Sequence, residues 1–382
     1  MRLLILSCNT GEGHNSAAKA IKDRFELMGS ECDIKDALAF WSPEKSKLIS
    51  KGHVFIYRRL PKLFGVSYRF EENHPPKDGE ESLMYDLVIK GCEALYNFLQ
   101  EEKYDAVICT HVFPSMMITE LRRRYNYFLK TYFVSTDYTC SPGVSQTSLD
   151  GYFIPHEKLI DEFAANGINR TSIIPTGIPV RECFYSHTDM KEAKRQLNLP
   201  ENKSIVLLMC GSMGCGPIKE LTEFLPEQMP ENAMLIVICG NNARLYKSLV
   251  KLDQPENIRI LGFTDKVSLY MDSASLVLTK PGGLSTTEAS AKALPMIFID
   301  AVPGCETRNI DFFIKNGYAD TRKGVLELCD LVCDYLEHPD KAVKISQALK
   351  NGFRGNAAQK IFDYVSGDVD LPNDKLQKLQ IQ

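Results

Sequence analysis

The stretch from Ser275 to Asn309 narrows the folds open to this chain more than any other. An apolar, partly β-branched run, Leu276 to Leu278, meets Pro281-Gly282-Gly283, and Ser285-Thr286-Thr287-Glu288 then opens an alanine-rich helical pattern. That is a strand, a glycine turn and a helix start. Glycines let a ligand approach the backbone without a Cβ in the way, hydroxyls supply donors, and a helix start carries free N–H groups equivalent to roughly half a positive charge. A diphosphate suits such a place, and so does a plain cap on Ser285 or Thr286 behind a tight turn. A second apolar run, Met296 to Asp300, leads into Pro303-Gly304-Cys305-Glu306-Thr307-Arg308-Asn309. A second polar loop is therefore expected on the same edge of a parallel sheet, which favours the ligand.

The same alternation fills the rest of the chain. Leu3 to Leu6 reads as a buried strand, followed by Gly11-Glu12-Gly13-His14 and a helix with Ala17, Ala20, Ile21, Phe25 and Met28 at helical spacing. A dinucleotide fingerprint would need a third glycine, which is missing here, and His14 follows the second. Further on come a strand at Asp33 to Leu38, a helical pattern from Leu83 to Leu99, a strand at Ala106 to Thr110 and a helix at Met116 to Arg124. The strand Thr131 to Ser135 ends in Thr136-Asp137. Polar groups at strand ends crowd the ligand edge of such a sheet, so His111 and Asp137 are candidates for substrate contact or for holding His14 in its working tautomer.

Pro175-Thr176-Gly177-Ile178-Pro179 has the composition of an interdomain connection. Beyond it Ile205 to Met209 opens a new series, and its loop carries Gly211, Ser212, Gly214 and Gly216. Pro217-Ile218 stands where a P-loop requires Lys-Ser/Thr, so this is not one. A strand at Ile258 to Gly262 runs into Phe263-Thr264, and helices are expected at Ile310 to Lys315, Val325 to Leu336, Ala342 to Leu349 and Ala357 to Val365. With 382 residues the chain suits two α/β domains, 1–177 and 178–354, with a last helix near 355–366 crossing back to the first.

Composition excludes several classes. Apolar residues make up 44% and no uncharged apolar run reaches the length needed to span a bilayer, while the first apolar run passes straight into the glycine loop and reads as a strand, not a leader. Twelve cysteines are scattered, several inside apolar runs, as expected of reduced thiols in a cytosolic protein. Cys329 and Cys333 share a helix face with Leu326 and Leu336, which points to core packing and no metal. The tail match Asp368-Val369-Asp370 follows no strand and is set aside. From Lys45 to Phe70 the chain holds Lys45, Lys47, Lys51, Arg58, Arg59, Lys62 and Arg69 with no acid, interleaved with aromatics. An anionic membrane surface, nucleic acid as the competing electrostatic partner, or a surface helix with a buried aromatic stripe would each fit these residues.

The segment Lys280, Gly282, Gly283, Ser285, Thr286, Glu288, Ala289, with Pro303, Gly304, Glu306 and Asn309, resembles the donor half of the GT-B glycosyltransferases of family 28. That group contains the monogalactosyldiacylglycerol synthases, the processive diacylglycerol glucosyltransferases and, more distantly, the MurG enzymes. The run from Thr10 to Ala18 resembles the group's G-x-G-H-x-x-A-A opening, and Thr136-Asp137-Tyr138-Thr139 its T-D-x-T piece. The resemblance implies two Rossmann-like, doubly wound parallel-sheet domains facing a central cleft. It implies His14 as catalytic base assisted by Asp137, and Gly11, Gly13 and His111 on the acceptor side. Gly211, Ser212, Gly214, Lys280, Gly282, Gly283, Ser285 and Thr286 would meet the donor diphosphate, Phe263 and Thr264 the uracil, and Glu288 the ribose. Gly304, Cys305, Glu306 and Asn309 would hold the sugar; Cys305 departs from the usual Gln, which leaves that sugar open. The implied reaction moves a hexose from a UDP-sugar to a lipid acceptor such as diacylglycerol, inverting, without metal or cofactor. Lys51, Arg58, Arg59 and Lys62 would dock a cytoplasmic enzyme on the inner face of the plasma membrane, with no nucleic acid as partner. A MurG-like UDP-N-acetylglucosamine transferase or epimerase is the alternative on the same fold, and a non-catalytic nucleotide-sugar or lipid binder the alternative outside enzymes.

Overall fold

The computed structural model describes residues 1–9, 11–48, 52, 65–66, 68, 70, 82–209, 211, 216–252 and 255–368. Lys51, Arg58, Arg59 and Lys62 of the basic segment, and Ser212 and Gly214 of the glycine loop, lie outside the described residues. The chain divides into two units: Met1–Arg181 with the chain from Gly355 onward, and Glu182–Arg354.

The first unit runs β1 Arg2–Ser7, α1 Glu12–Leu27, β2 Glu31–Asp36, α2 Leu83–Val88, α3 Cys92–Glu102, β3 Ala106–Cys109, α4 Val112–Tyr125, β4 Lys130–Val134, β5 Gly151–Ile154, α5 Ile160–Ala165 and β6 Ile173–Pro175. Its strands lie parallel in the order β2-β1-β3-β4-β5-β6. Leu3, Leu4, Ile5 and Leu6 are all fully buried, because a strand covered on both faces has no wet side. Since β1 has β2 on one side and β3 on the other, the chain reverses its winding there, and a crevice opens at the strand ends between β1 and β3.

The second unit runs α6 Met190–Gln196, β7 Ser204–Met209, α7 Ile218–Gln228, β8 Ala233–Ile238, α8 Ala243–Leu249, β9 Ile258–Leu261, α9 Val267–Ser273, β10 Leu276–Thr279, α10 Gly283–Ala291, β11 Met296–Phe298, α11 Cys305–Lys315, β12 Ala319–Thr321, α12 Val325–Glu337 and α13 Pro339–Gly352. The parallel order is β12-β11-β10-β7-β8-β9, so the reversal falls between β7 and β10. The last helix, α14 Ala357–Asp368, packs in the first unit: Phe362 meets Phe25 of α1 edge-on at 5.1 Å, and Ile361 and Val365 join Leu3, Ile5 and Ile21 in one apolar cluster.

Several element bounds differ from the sequence expectation. β2 starts and stops two residues early, because the Asp36 carboxylate accepts the Leu38 N–H at 3.2 Å and begins a tight 3-10 turn, Ala37–Phe40. The pattern from Leu83 to Leu99 is broken at Ile89–Gly91, where the chain crosses so close to Trp41 that a Cβ on Gly91 would lie 2.8 Å from its backbone nitrogen. Strand β12 was not expected; three residues, one of them Asp320, give no periodic signal. Leu326 is 59% exposed, so the buried face of α12 runs instead through Leu328, Cys329, Leu331, Val332 and Tyr335.

Burial also governs the thiols. It pushes Cys32, Cys92, Cys109 and Cys140 up to about 12, and of the described cysteines Cys183 alone is exposed. Iodoacetamide at pH 8 is therefore expected to label Cys183 well before these four, as read by mass spectrometry of peptides; equal labelling of Cys109 would contradict the packing.

Candidate active site

At the crevice of the first unit the chain leaves β1 and enters α1 through Gly11, an extended residue that precedes the helix with no side chain capping it. Gly13 and His14 lie in the first turn. The loop is braced by a chain of hydrogen bonds: Ser7 Oγ to Asn15 Oδ1 at 2.8 Å, Asn15 Nδ2 to Asn9 Oδ1 at 3.0 Å and Asn9 Nδ2 to Asp36 Oδ2 at 2.9 Å. Beside them opens a hollow of about 500 Å³ lined by these four residues with Lys19 and Lys35 among others.

His14 Nδ1 lies 2.8 Å from the Thr110 carbonyl oxygen and 3.0 Å from Thr136 Oγ1. A carbonyl oxygen only accepts, so Nδ1 carries a proton, and in the neutral ring Nε2 holds the lone pair. Thr110 follows β3 and Thr136 follows β4, so neighbouring strand ends orient the imidazole. From sequence Thr136 stood out only as the start of the T-D-x-T piece, and Thr110 only as the end of a strand. Thr110 acts through its backbone, which no side-chain pattern marks; its own hydroxyl is fully buried with no hydrogen-bond partner among the described residues.

His111 was expected in a loop ahead of a helix at Met116. It is instead the residue before α4, its Nδ1 accepting the Phe113 N–H at 3.0 Å, and its ring stands edge-on to His14 with centroids 4.5 Å apart. Histidine serves here as a helix cap, a role the sequence rules give first to Ser, Thr, Asp and Asn. Asp137, half-buried, lies next to Thr136, and its backbone oxygen accepts from Ser135 Oγ at 3.1 Å.

In the second unit the loops after β7 and β10 flank the reversal point. Gly211 and Gly216 both have positive φ, and Gly216, at +106°, lies where a Cβ would come within 3.4 Å of Asp300 Cβ. Helix α10 starts at Gly283, two residues before the expected Ser285, and Gly282 precedes it without any side-chain cap. No side chain caps α7 or α11 either. Ser285 thus sits in the first turn with its N–H outside the helical ladder, an arrangement suited to an anion. The Thr286 hydroxyl, fully buried, donates back to the Gly282 oxygen at 2.9 Å and lies 3.1 Å from that of Gly283, so neither it nor Ser285 is a cap. Glu288 is half-buried one turn further on.

The Pro303 to Asn309 segment is mostly helix, not loop: α11 begins at Cys305, because Gly304 at φ +121° turns the chain in a way glycine alone readily allows. The half-buried Cys305 therefore occupies the first helical position. Glu306 accepts from the Val302 N–H at 2.6 Å and pairs with Lys280 Nζ at 3.1 Å, both side chains only 8% exposed. Asn309, fully buried, donates from Nδ2 to the Pro281 oxygen at 2.8 Å. Those two contacts tie the β10 loop to the start of α11. Phe263 is 73% exposed at the end of β9, so it is not core; Thr264 Oγ1 accepts from the Lys266 N–H at 3.1 Å.

Comparison with known proteins agrees with this layout. Residues 14–180 match the family model of monogalactosyldiacylglycerol (MGDG) synthase, and residues 205–302 match the glycosyltransferase family 28 C-terminal domain. The chain is 26% identical over 373 residues to the processive diacylglycerol beta-glucosyltransferase of Bacillus pumilus, covering 97% of this chain and 96% of that protein. It is 25% identical to the Bacillus subtilis protein of the same name, covering 100% and 98%. In structure it is similar to MurG of Acinetobacter baumannii (TM-score 0.63, 15% identity, 96% and 99% covered) and to the S. aureus MnaA–UDP co-structure (TM-score 0.61, 11% identity, 97% and 98% covered). These likenesses establish the GT-B fold. With an MGDG-synthase match in the first unit, a family 28 match in the second and relatives aligned end to end, the chain belongs to the family 28 glycosyltransferases, in the group of the monogalactosyldiacylglycerol synthases and processive diacylglycerol glucosyltransferases.

Proposed function

We propose that the protein is an inverting, metal-independent transferase that moves a hexose from a UDP-sugar to the hydroxyl of a lipid alcohol, diacylglycerol foremost. The observation that carries the reading is the bond from His14 Nδ1 to the Thr110 carbonyl, which leaves Nε2 as the basic nitrogen of a neutral ring. In the proposed step the acceptor oxygen bonds to the anomeric carbon while its proton passes to Nε2. The bond from that carbon to the phosphate oxygen breaks, and UDP leaves with the electron pair from the opposite face. Negative charge grows on the diphosphate, where the uncapped start of α10 offers N–H groups already aimed. No step of this scheme calls for a cation. The names of the relatives, which are diacylglycerol glucosyltransferases, support the acceptor class and favour glucose as the sugar.

Incubation of the purified protein with labelled UDP-glucose, UDP-galactose or UDP-N-acetylglucosamine and diacylglycerol vesicles, with and without EDTA, tests this. A β-linked glycolipid formed at the same rate in EDTA is expected. An α-linked product would end the inverting mechanism, loss of activity in EDTA would end metal independence, and use of UDP-N-acetylglucosamine alone would favour the MurG-like alternative.

Work at a lipid surface needs a way to reach it. Among the described residues no helix is long and apolar enough to cross a membrane. We place the protein on the inner face of the plasma membrane, held by the basic aromatic segment from Lys45 to Phe70, at about 1 kcal/mol per basic residue near the surface. Reversing Arg58 and Arg59 to Glu should lower co-sedimentation with anionic vesicles by at least about tenfold. Undiminished sedimentation would count against the segment.

A further inference from the structure

We propose that His111 binds the acceptor: its Nε2–H donates a hydrogen bond to the same alcohol oxygen whose proton goes to His14. The proposal rests on the transferase reading above and names a second residue of its acceptor side. The ground for it is that the two imidazoles hold opposite tautomers. The Phe113 N–H is a donor only, and it points at His111 Nδ1 at 3.0 Å, so that nitrogen keeps its lone pair and the neutral ring carries its proton on Nε2. In His14 the order is reversed, with the proton on Nδ1 facing the Thr110 oxygen. Rings 4.5 Å apart at 74°, on residues that follow β1 and β3, thus set an imidazole with a basic nitrogen beside one with an N–H donor. A hydroxyl is the group that answers both, since it gives a proton and takes a hydrogen bond at once.

The local structure keeps the pair this way. Protonating His111 would set an N–H against the Phe113 N–H and place a cation at the positive end of the fourteen-residue helix α4. It would also place that cation beside His14 when the latter takes up the acceptor's proton. His111 therefore stays a neutral donor through the cycle, while His14 alone gains and loses the proton. The hydrogen bond fixes the oxygen over the base before the sugar is attacked, and this is a matter of position, worth most in acceptor affinity.

Replacement of His111 by serine separates this role from helix capping, because a serine hydroxyl also accepts the Phe113 N–H but does not reach where the imidazole Nε2 lies. The H111S protein is expected to lose about tenfold or more in kcat/KM for the lipid acceptor, chiefly through KM, with the UDP-sugar KM and the melting temperature unchanged. In H111N, whose side chain caps and retains an N–H donor, part of the loss should return. Nitrogen-15 NMR of the histidine rings at neutral pH should show His111 protonated at Nε2 and His14 at Nδ1. Acceptor kinetics of H111S within twofold of wild type, or a His111 ring protonated at Nδ1, would overturn the proposal. Wild-type protein that transfers no sugar to any lipid alcohol would overturn the transferase reading itself, which an active wild type with unaltered H111S would leave standing.

Discussion

His14→Ala is expected to lower turnover by about 10²- to 10⁴-fold while leaving UDP binding intact, the range over which a positioned general base acts. His14 sits in the first turn of α1, half-exposed, where alanine is a good helix former. Truncating the partly exposed His14 opens the Thr110 carbonyl behind it to water, which can replace the lost donor, so the fold should hold. Initial rates at saturating donor and acceptor, with calorimetric titration of UDP, measure both halves of the claim. His14→Gln should fail equally, since an amide can hydrogen-bond but cannot take the proton. Turnover in either variant within threefold of wild type would remove His14 from the chemistry and revive the non-catalytic reading.

Breaking the Lys280–Glu306 pair should cost about 3–5 kcal/mol from either side, because each change leaves the other charge buried without its partner. Glu306→Gln still offers an oxygen to the Val302 N–H but removes the carboxylate charge that faces the Lys280 ammonium. Lys280→Met fills the same space and leaves the carboxylate. The double variant removes both charges and should be more stable than the sum of the single losses implies, the sign of direct coupling. Urea unfolding of the four proteins gives the cycle. The same set separates two roles for Lys280. Should it serve only to lock the β10 loop to α11, UDP affinity falls alike in both single variants; should the ammonium also meet the diphosphate, Lys280→Met falls far further than Glu306→Gln. Single variants that each lose under 1 kcal/mol would show that the pair is not the lock the geometry describes.

Much of the architecture was legible because these strands are buried on both faces. Ile205 to Met209 and Leu276 to Leu278 carry no polar residue to blur the signal, and the glycine turns that follow mark where each helix must begin to form. The errors cluster at helix starts. The alternative in which Ser285 or Thr286 merely caps the helix does not hold, because α10 starts two residues sooner with glycine before it. At His111 the helix was expected to start later, at Met116, because histidine is a cap of an uncommon type. At both sites the exception falls at the carboxyl ends of the strands, the edge at which sheets of this type bind ligands.

Sequence alone determined the alternation of strand and helix, the two-unit plan and the position of His14 just after the first strand, since each follows from periodicity and turn chemistry within a few residues. It could not determine that β1 lies beside β3 and β7 beside β10, because apolar runs of similar composition do not encode their neighbours; only the packed sheets decide which loops share a crevice. Nor could it show that a backbone carbonyl 96 residues away holds the imidazole, or that Lys280 is answered by Glu306. A carbonyl is the same at every residue, so its selection as a partner is a property of the folded chain.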